Sequence, residues 1–343
     1  MKPPQKLIAD YGEFTLIDRI KKILPKNKKV EIIIGLGDDT AVIRLDKNRV
    51  FLITCDIQVQ DQHFRMEHIT PYQLGRRAMA VNLSDIAAMG GKPTYALVSL
   101  GLPATLQLKS FDELFRGMQD ELGNFDAFIV GGNLTRTENC VIVDITLLGE
   151  VSYNHLLRRD GAQVGDRIYT TGKLGSASAG FYILEKYGRR YPAKFRAVVQ
   201  AHLQPVPRIA VAQQLAQADV ATAMIDISDG LASDMYHICN MSQVGAEIHE
   251  STLPLTEELV QVEKIVGKAP LDLALHGGED YELLFTVKEK TPASKIEQIA
   301  QKTHVPITEI GHIIRRESGF YLIDNQNKKK PIEPTGWDHF KKT

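Results

Sequence analysis

Aspartates in four separate stretches of the chain sit where a carboxylate has work to do. Gly35-Leu36-Gly37-Asp38-Asp39 joins two strand-like runs, and the strands beyond it flank a polar turn, Asp46-Lys47-Asn48-Arg49. A hairpin centred between Lys47 and Asn48 puts Asp39 opposite Asp56. Facing residues of an antiparallel pair have Cβ atoms ~5 Å apart, and like charges there repel. Either a cation lies between them, or they are two loop aspartates with no shared task. Asp85, in Asn82-Leu83-Ser84-Asp85, interrupts a helix otherwise rich in Ala, Val, Leu and Met. An unpaired buried charge is costly, so Asp85 needs Arg76, Arg77 or a metal. Asp226 ends an apolar strand in Ile225-Asp226-Ile227-Ser228-Asp229-Gly230, where Ser228 or Asp229 can also serve as a helix N-cap. Oxygen-only ligands suit a hard cation, and Mg²⁺ with phosphates is its commonest use. No His/Cys cluster supports zinc.

Helices and strands must bring these segments together. Apolar residues at helical spacing predict a helix over 14–24, closed by Pro25. Strands are expected at 31–34, 41–45 and 50–54, and a long helix over 71–89, opened by Pro71 and closed by Gly90-Gly91. A helix over 112–122 and strands at 125–130 and 141–148, the last two around a Gly-Gly loop, complete the first half. Residues 153–165 are polar and turn-rich, which places a boundary between domains 1–152 and 153–343. The second half reads as strands at 167–171, 221–227 and 281–287 with helices after Gly175, over 229–241 and over 292–303. The class expected is α+β, two mixed α/β domains with largely antiparallel sheets.

Composition removes several functions. The chain has 343 residues, enough for two cores. Its 41 basic and 42 acidic residues leave a net charge of −1, which argues against a nucleic-acid binder. Cys55, Cys140 and Cys239 are odd in number and form no C-x-x-C pair, as suits a reducing, cytoplasmic compartment. Residues 1–13 lack an apolar core, so no signal peptide is expected. No apolar stretch approaches the ~20 residues of a membrane span.

Glycine-rich turns recur at Gly35-Leu36-Gly37, Gly90-Gly91, Gly131-Gly132, Gly172 with Gly175, and Gly277-Gly278. Such turns can present N–H groups to phosphate, and Gly175-Ser176 lies at a helix start suited to an anion. No Walker, dinucleotide or protein-kinase motif is present. The residues alone therefore reach magnesium and phosphates on a non-standard nucleotide fold, without a substrate.

The motifs in their order resemble the thiamine-monophosphate kinase family, a branch of the aminoimidazole-ribonucleotide-synthetase-like superfamily. The resemblance runs from Gly12-Glu13-Phe14 through Gly37-Asp38-Asp39, Thr54-Cys55-Asp56, His63-Phe64 and Gly75-Arg76-Arg77-Ala78 to Asn82-Leu83-Ser84-Asp85. It continues with Gly161-Ala162, Gly165-Asp166, His202, Pro205, Pro207-Arg208, Asp226 to Leu231, Gly277-Gly278-Glu279-Asp280-Tyr281 and Gly336-Trp337-Asp338-His339-Phe340. It implies magnesium held by Asp39, Asp56, Asp85, Asp226 and Asp229, joined by Thr54, by Cys55 through its backbone, and by Asn133. It implies ATP contacts at Gly131, Gly132, Arg159 and Ser228, and thiamine monophosphate contacts at His63, Glu279 and Trp337. Several Mg²⁺ ions, ATP as co-substrate, direct in-line transfer with no covalent nucleophile or general base, and a homodimer formed by the first domains follow from the same resemblance.

This chain departs from the family in two places. Asn133 stands where the family usually has Asp, which weakens one metal position. Gln60-Asp61 replaces a usual Glu-Gly before His63. Two alternatives stay open on the sequence: another ATP-dependent enzyme of the superfamily, and a non-catalytic sensor of thiamine phosphate or nucleotide, for which Asn133 speaks.

Overall fold

A computed structural model of the chain describes residues 13–24, 31–333 and 335. The expected element at 14–24 is there as α1 (Glu13–Ile23). Next come β1 (Ile32–Ile34), β2 (Ala41–Arg44), β3 (Arg49–Val59), α2 (Pro71–Ala88), β4 (Lys92–Pro103), α3 (Leu108–Gly123), β5 (Phe128–Thr137) and β6 (Ile142–Ser152). These strands form one sheet in the order β1-β2-β3-β6-β4-β5. All neighbours in it are antiparallel except β4 and β5, which α3 connects in parallel. Alternation along β3 and β6 buries one face of the sheet beneath α2 and α3.

The remaining elements are β7 (Arg167–Thr171), α4 (Ser176–Tyr187), α5 (Arg196–Leu203), α6 (Ile209–Gln217), β8 (Ala221–Asp226), α7 (Leu231–Ser242) and β9 (Gly245–His249). They continue with α8 (Glu257–Val266), α9 (Pro270–His276), β10 (Leu283–Val287), α10 (Ala293–Thr303), β11 (Ile307–Ile314), β12 (Phe320–Ile323) and β13 (Lys329–Pro331). The second sheet runs β13-β12-β9-β11-β7-β10-β8, antiparallel except for β12 on β9. The class is α+β, as expected. One core cluster runs without a break from Val42 and Leu52 of the first sheet through α2 to Val199, Leu215 and Phe285. A second, including Ile225, Leu231 and Met235, fills the space under α7.

Helix α2 is set at its start by a reciprocal cap. Thr70 accepts from the Gln73 N–H at 3.2 Å, and the Gln73 side chain accepts from the Thr70 N–H at 3.1 Å. The helix is buried almost all round because it packs on α3 and the first sheet on one side and meets β8 and α6 on the other.

Three local expectations are corrected. The hairpin pairs Ala41 with Ile53 and Arg44 with Val50, one residue out of the expected register. Asp46 is the cause: its Oδ1 accepts from the N–H groups of Asn48 and Arg49, so the turn centres on Lys47. Asp39 therefore does not face Asp56 across a ladder, which begins only at Ala41. Residues 92–103, to which no element was assigned, form β4, an interior strand between β6 and β5. Gly131 and Gly132 are not a loop but lie within β5, past a bulge at Val130. Gly132 has φ +153°, and a Cβ there would lie 1.8 Å from the Val98 carbonyl oxygen, so only glycine fits.

Candidate active site

Four elements point acids at one place. Asp39 follows the β1 turn, Asp56 lies on the buried face of β3, Asp85 is on α2, and Asp226 is the last residue of β8. Carboxylate oxygens of Asp39, Asp85 and Asp226 all lie within 4.8 Å of one another. Neighbours orient them. Thr54 Oγ1 donates to Asp85, Ser84 Oγ donates to Asp226 Oδ2 at 2.6 Å, and the Asp56 N–H donates to Asn82 Oδ1 at 3.2 Å.

The arginines considered as partners for Asp85 are engaged elsewhere. Arg76 pairs with Glu121 at 2.5 Å, and Arg77 pairs with Glu279. The cation the site does contain is Arg159, whose guanidinium donates to Asp39 and lies 3.5 Å from Asp38. One arginine does not balance five acids. Burial pushes Asp226 up to about 8, with Asp39 adding repulsion and Ser84 opposing it. Burial also raises Asp56 to about 6, and lifts Asp85 well above the usual carboxylate range with help from Asp56 and Asp226. Asp38 rises to about 7 through burial and its neighbour Asp39. Burial works against the Arg159 charge, but Asp39 outweighs it and raises its pKa. Converging, desolvated, oxygen-only carboxylates fit a hard divalent cation, which would let all of them ionise at once.

A second feature adjoins this cluster. His63, Arg77, Phe181 and His202 line a cleft of about 180 Å³. The Val59 N–H donates to His63 Nδ1 at 3.0 Å, which fixes the ring. Glu279 sits beside the cleft, with its Oε2 3.1 Å from His202 Nδ1. Burial would raise Glu279, but the Arg77 charge and the His202 contact hold it at about 2.

The other expected residues are placed as follows. Cys55 turns its thiol to the opposite face of the sheet, where Sγ donates to Asp144 Oδ1 at 3.3 Å, leaving its backbone beside the acids. Asn133 aligns across strands with Ser99, Asp144 and Ile57. Successive strand residues face opposite ways, so Asn133 is on the Cys55 face and not on the Asp56 face. Gly131 and Gly132 lie on the same edge strand. Trp337 lies outside the described residues. Neither Ser228 nor Asp229 caps α7, whose N-cap position is Gly230. The anion at the start of α4 is internal: Asp280 accepts from the N–H groups of Gly175 and Ala177 at 2.6 and 3.0 Å. Gly278 is needed for packing, since a Cβ there would lie 2.3 Å from the Ser228 carbonyl oxygen. Asp38, Asp234 and Asp280 were not singled out from the sequence. Asp38 was visible as the twin of Asp39; Asp234 falls in a first helical turn only because α7 starts at Leu231 and not at the expected 229. Nothing local marks Asp280 as a partner of Gly175.

Both halves of the chain are similar to known proteins. Residues 37–151 match the AIR synthase related protein, N-terminal domain family, and residues 163–323 match the corresponding C-terminal domain family. A thiamine-monophosphate kinase of Buchnera aphidicola is 37% identical over 96% of this chain and 99% of its own. That of Aquifex aeolicus is 36% identical over 97% of this chain and 99% of its own. The chain belongs to the thiamine-monophosphate kinase family. The solved structure of AaThiL complexed with AMPPCP and TMP superposes with a TM-score of 0.84 at 33% identity, covering 98% of this chain and 100% of that one. The hydrogenase maturation protein HypE in complex with ATP has the same fold, at 16% identity and a TM-score of 0.68. The matches run through both halves, so Asp39, Asp56, Asp85, Asp226 and Glu279 lie inside the matched ranges. No helix of the described residues is long and apolar enough to cross a membrane.

Proposed function

We propose that this chain is a thiamine-monophosphate kinase that moves the γ-phosphoryl group of ATP onto the phosphate of thiamine monophosphate, giving thiamine diphosphate. The observation that carries the reading is the convergence of Asp39, Asp85 and Asp226, drawn from three distant segments, within 4.8 Å. AMPPCP, an ATP analogue, and TMP bound to a structural relative at 33% identity supply the two substrates.

Asp39, Asp56, Asp85, Asp226 and Asp229 would hold several Mg²⁺ ions, with Thr54 and the Cys55 backbone completing the set within one chain; Asn133, on the outer face of the sheet, would join only across the subunit boundary. Magnesium, when bound, offsets the repulsion between two phosphate-bearing molecules and the charge spread over the transferring group. Arg159 and Ser228, with Gly131 and Gly132, bind and orient ATP. His63, Glu279 and Trp337 hold thiamine monophosphate, the carboxylate of Glu279 suiting a cationic ring. The acceptor oxygen is already ionised at neutral pH, so transfer needs neither a general base nor a phosphoenzyme.

The subunit arrangement belongs to the same proposal. The outer face of the first sheet exposes Ile57, Tyr95, Leu97, Phe128 and Val130, an apolar surface suited to a second copy of the chain. Pairing there would put the edge strand with Gly131, Gly132 and Asn133 at the subunit boundary. The division into domains 1–152 and 153–343 matches this role, the first domain serving the dimer. Three cysteines without a disulfide suit a cytoplasmic enzyme.

The test is direct. Purified protein with ATP, Mg²⁺ and thiamine monophosphate should form thiamine diphosphate, followed by chromatography. ATP consumption only with a different acceptor, or binding without turnover, would sink the reading.

A further inference from the structure

The segment that follows Asp226 is gripped from two sides. Its carbonyl side faces the Gly277–Gly278 motif: the Ile227 and Ser228 oxygens accept from the N–H groups of Tyr281 and Glu279 at 2.8 and 2.7 Å. Its N–H side faces Asp234. One oxygen, Asp234 Oδ2, accepts from Ser228, Asp229 and Gly230 at 3.1, 3.2 and 3.1 Å. Asp234 is buried, 1% exposed, and projects back from the first turn of α7. These three N–H groups belong to the turn that enters α7, where no preceding side chain caps the helix. An N-cap side chain normally accepts from an N–H inside the first helical turn; here the direction is reversed, and one carboxylate inside the helix accepts from three N–H groups that lead into it.

We propose that Asp234 is a positioning residue: it fixes the Ser228–Gly230 loop, just after Asp226, in the conformation that presents Ser228 to nucleotide phosphates and Asp229 to the magnesium they carry, without touching the nucleotide. The loop half of this statement rests on geometry alone, and the nucleotide half rests on the function proposed above. Two explanations of a defect at this position make different demands. If the carboxylate acts by accepting hydrogen bonds, a neutral side chain with the same oxygen replaces it. If it acts only by adding negative charge to the site, that side chain fails as badly as a truncated one.

Asp234→Asn and Asp234→Ala separate the two. Hydrogen–deuterium exchange of peptides spanning 226–232 reads the loop without reference to activity, and calorimetry with AMPPCP and Mg²⁺ reads the phosphate site. Asp234→Ala is expected to speed exchange at 228–230 by about tenfold or more, and to weaken AMPPCP by about tenfold, the scale of one net hydrogen bond. Peptides from β10 and the last turns of α7 should keep wild-type exchange. Asp234→Asn should stay within about threefold of wild type in both readouts. Unchanged loop exchange in the alanine variant, or an asparagine variant as impaired as the alanine one, overturns the proposal. Where the alanine variant does not fold, the asparagine variant decides alone: fast loop exchange or lost AMPPCP affinity in it overturns the proposal. A wild-type protein that ignores AMPPCP while the exchange pattern holds overturns the nucleotide half and, with it, the kinase reading, and supports the loop half.

Discussion

Arg77, on the helix that carries Asp85, forms its ion pair with Glu279, 202 residues further along the chain. Arg77 is 1% exposed and also donates to the His202 carbonyl oxygen, so it ties the first half of the molecule to α5 and to the loop before β10 in the second. Removing one partner of a buried pair leaves the other uncompensated, at ~3–5 kcal/mol. Glu279 keeps 32% side-chain exposure, so Arg77→Met should cost roughly 3 kcal/mol, the low end of that range. Urea unfolding at neutral pH measures it; a loss under ~1 kcal/mol, the scale of an exposed pair, would show the pair to be dispensable.

The same pair sets an acid limit. The Glu279 carboxyl is moved from its ordinary value of 4.5 to about 2. A depressed folded value contributes stability that is complete above the unfolded pKa and is lost as pH falls through the folded one. Wild type should therefore lose this contribution between pH 4.5 and about 2. Glu279→Gln should show a shallower fall in melting temperature across that window. Parallel curves would remove Glu279 as the source.

Asp85 sets stability against function. Without a cation its carboxylate is held against Asp56 and Asp226, so Asp85→Asn should leave the EDTA-treated protein as stable as wild type or more so, by about 1–2 kcal/mol. The same variant should lose most of the Mg²⁺-dependent rise in melting temperature and at least about a hundredfold in rate, in line with loss of one electrostatic contact in phosphoryl transfer. Thermal melts with and without Mg²⁺ give both numbers, and an undiminished Mg²⁺ shift would take Asp85 out of the metal set.

Asn133→Asp restores a charge at an exposed position of the edge strand. It should lower the Mg²⁺ concentration for half-maximal rate. No change would place Asn133 outside the metal shell, in keeping with its position on the outer face of the sheet within one chain.

Leu97 is 41% exposed on that face. Leu97→Lys puts a charge in the middle of the apolar surface and should shift the protein to monomer, measured by light scattering after size exclusion. A wild-type protein that is already monomeric would refute the dimer.

The long elements and the identities of the acids were legible because they rest on local rules. Pro71, the apolar filling of α2 and the Asp226 turn each announce themselves within a few residues. The strand register was not, because Asp46 folds onto the backbone of its own turn, which draws Arg49 into β3 and shortens the turn by one residue. Nor was β4, which is held by partners on both sides that are strands from elsewhere in the chain and not by any local signal. The glycine motifs were legible as places of close approach but not as to what approaches: at Gly278 it is the Ser228 carbonyl, and at the start of α4 it is Asp280. Arg76 and Arg77 are adjacent and alike in sequence, and only packing sends one to Glu121 and the other to Glu279.

Because Arg77 and Asp85 ride on one rigid helix, their separation is a fixed length. Eight residues at 1.5 Å each make it about 12 Å along the axis. The distance between the pocket near Glu279 and the acids is thus gauged by a rod whose calibration is covalent. Adding or deleting a single residue between the two would swing one end by about 100° relative to the other, and no side-chain adjustment would bring both back into line.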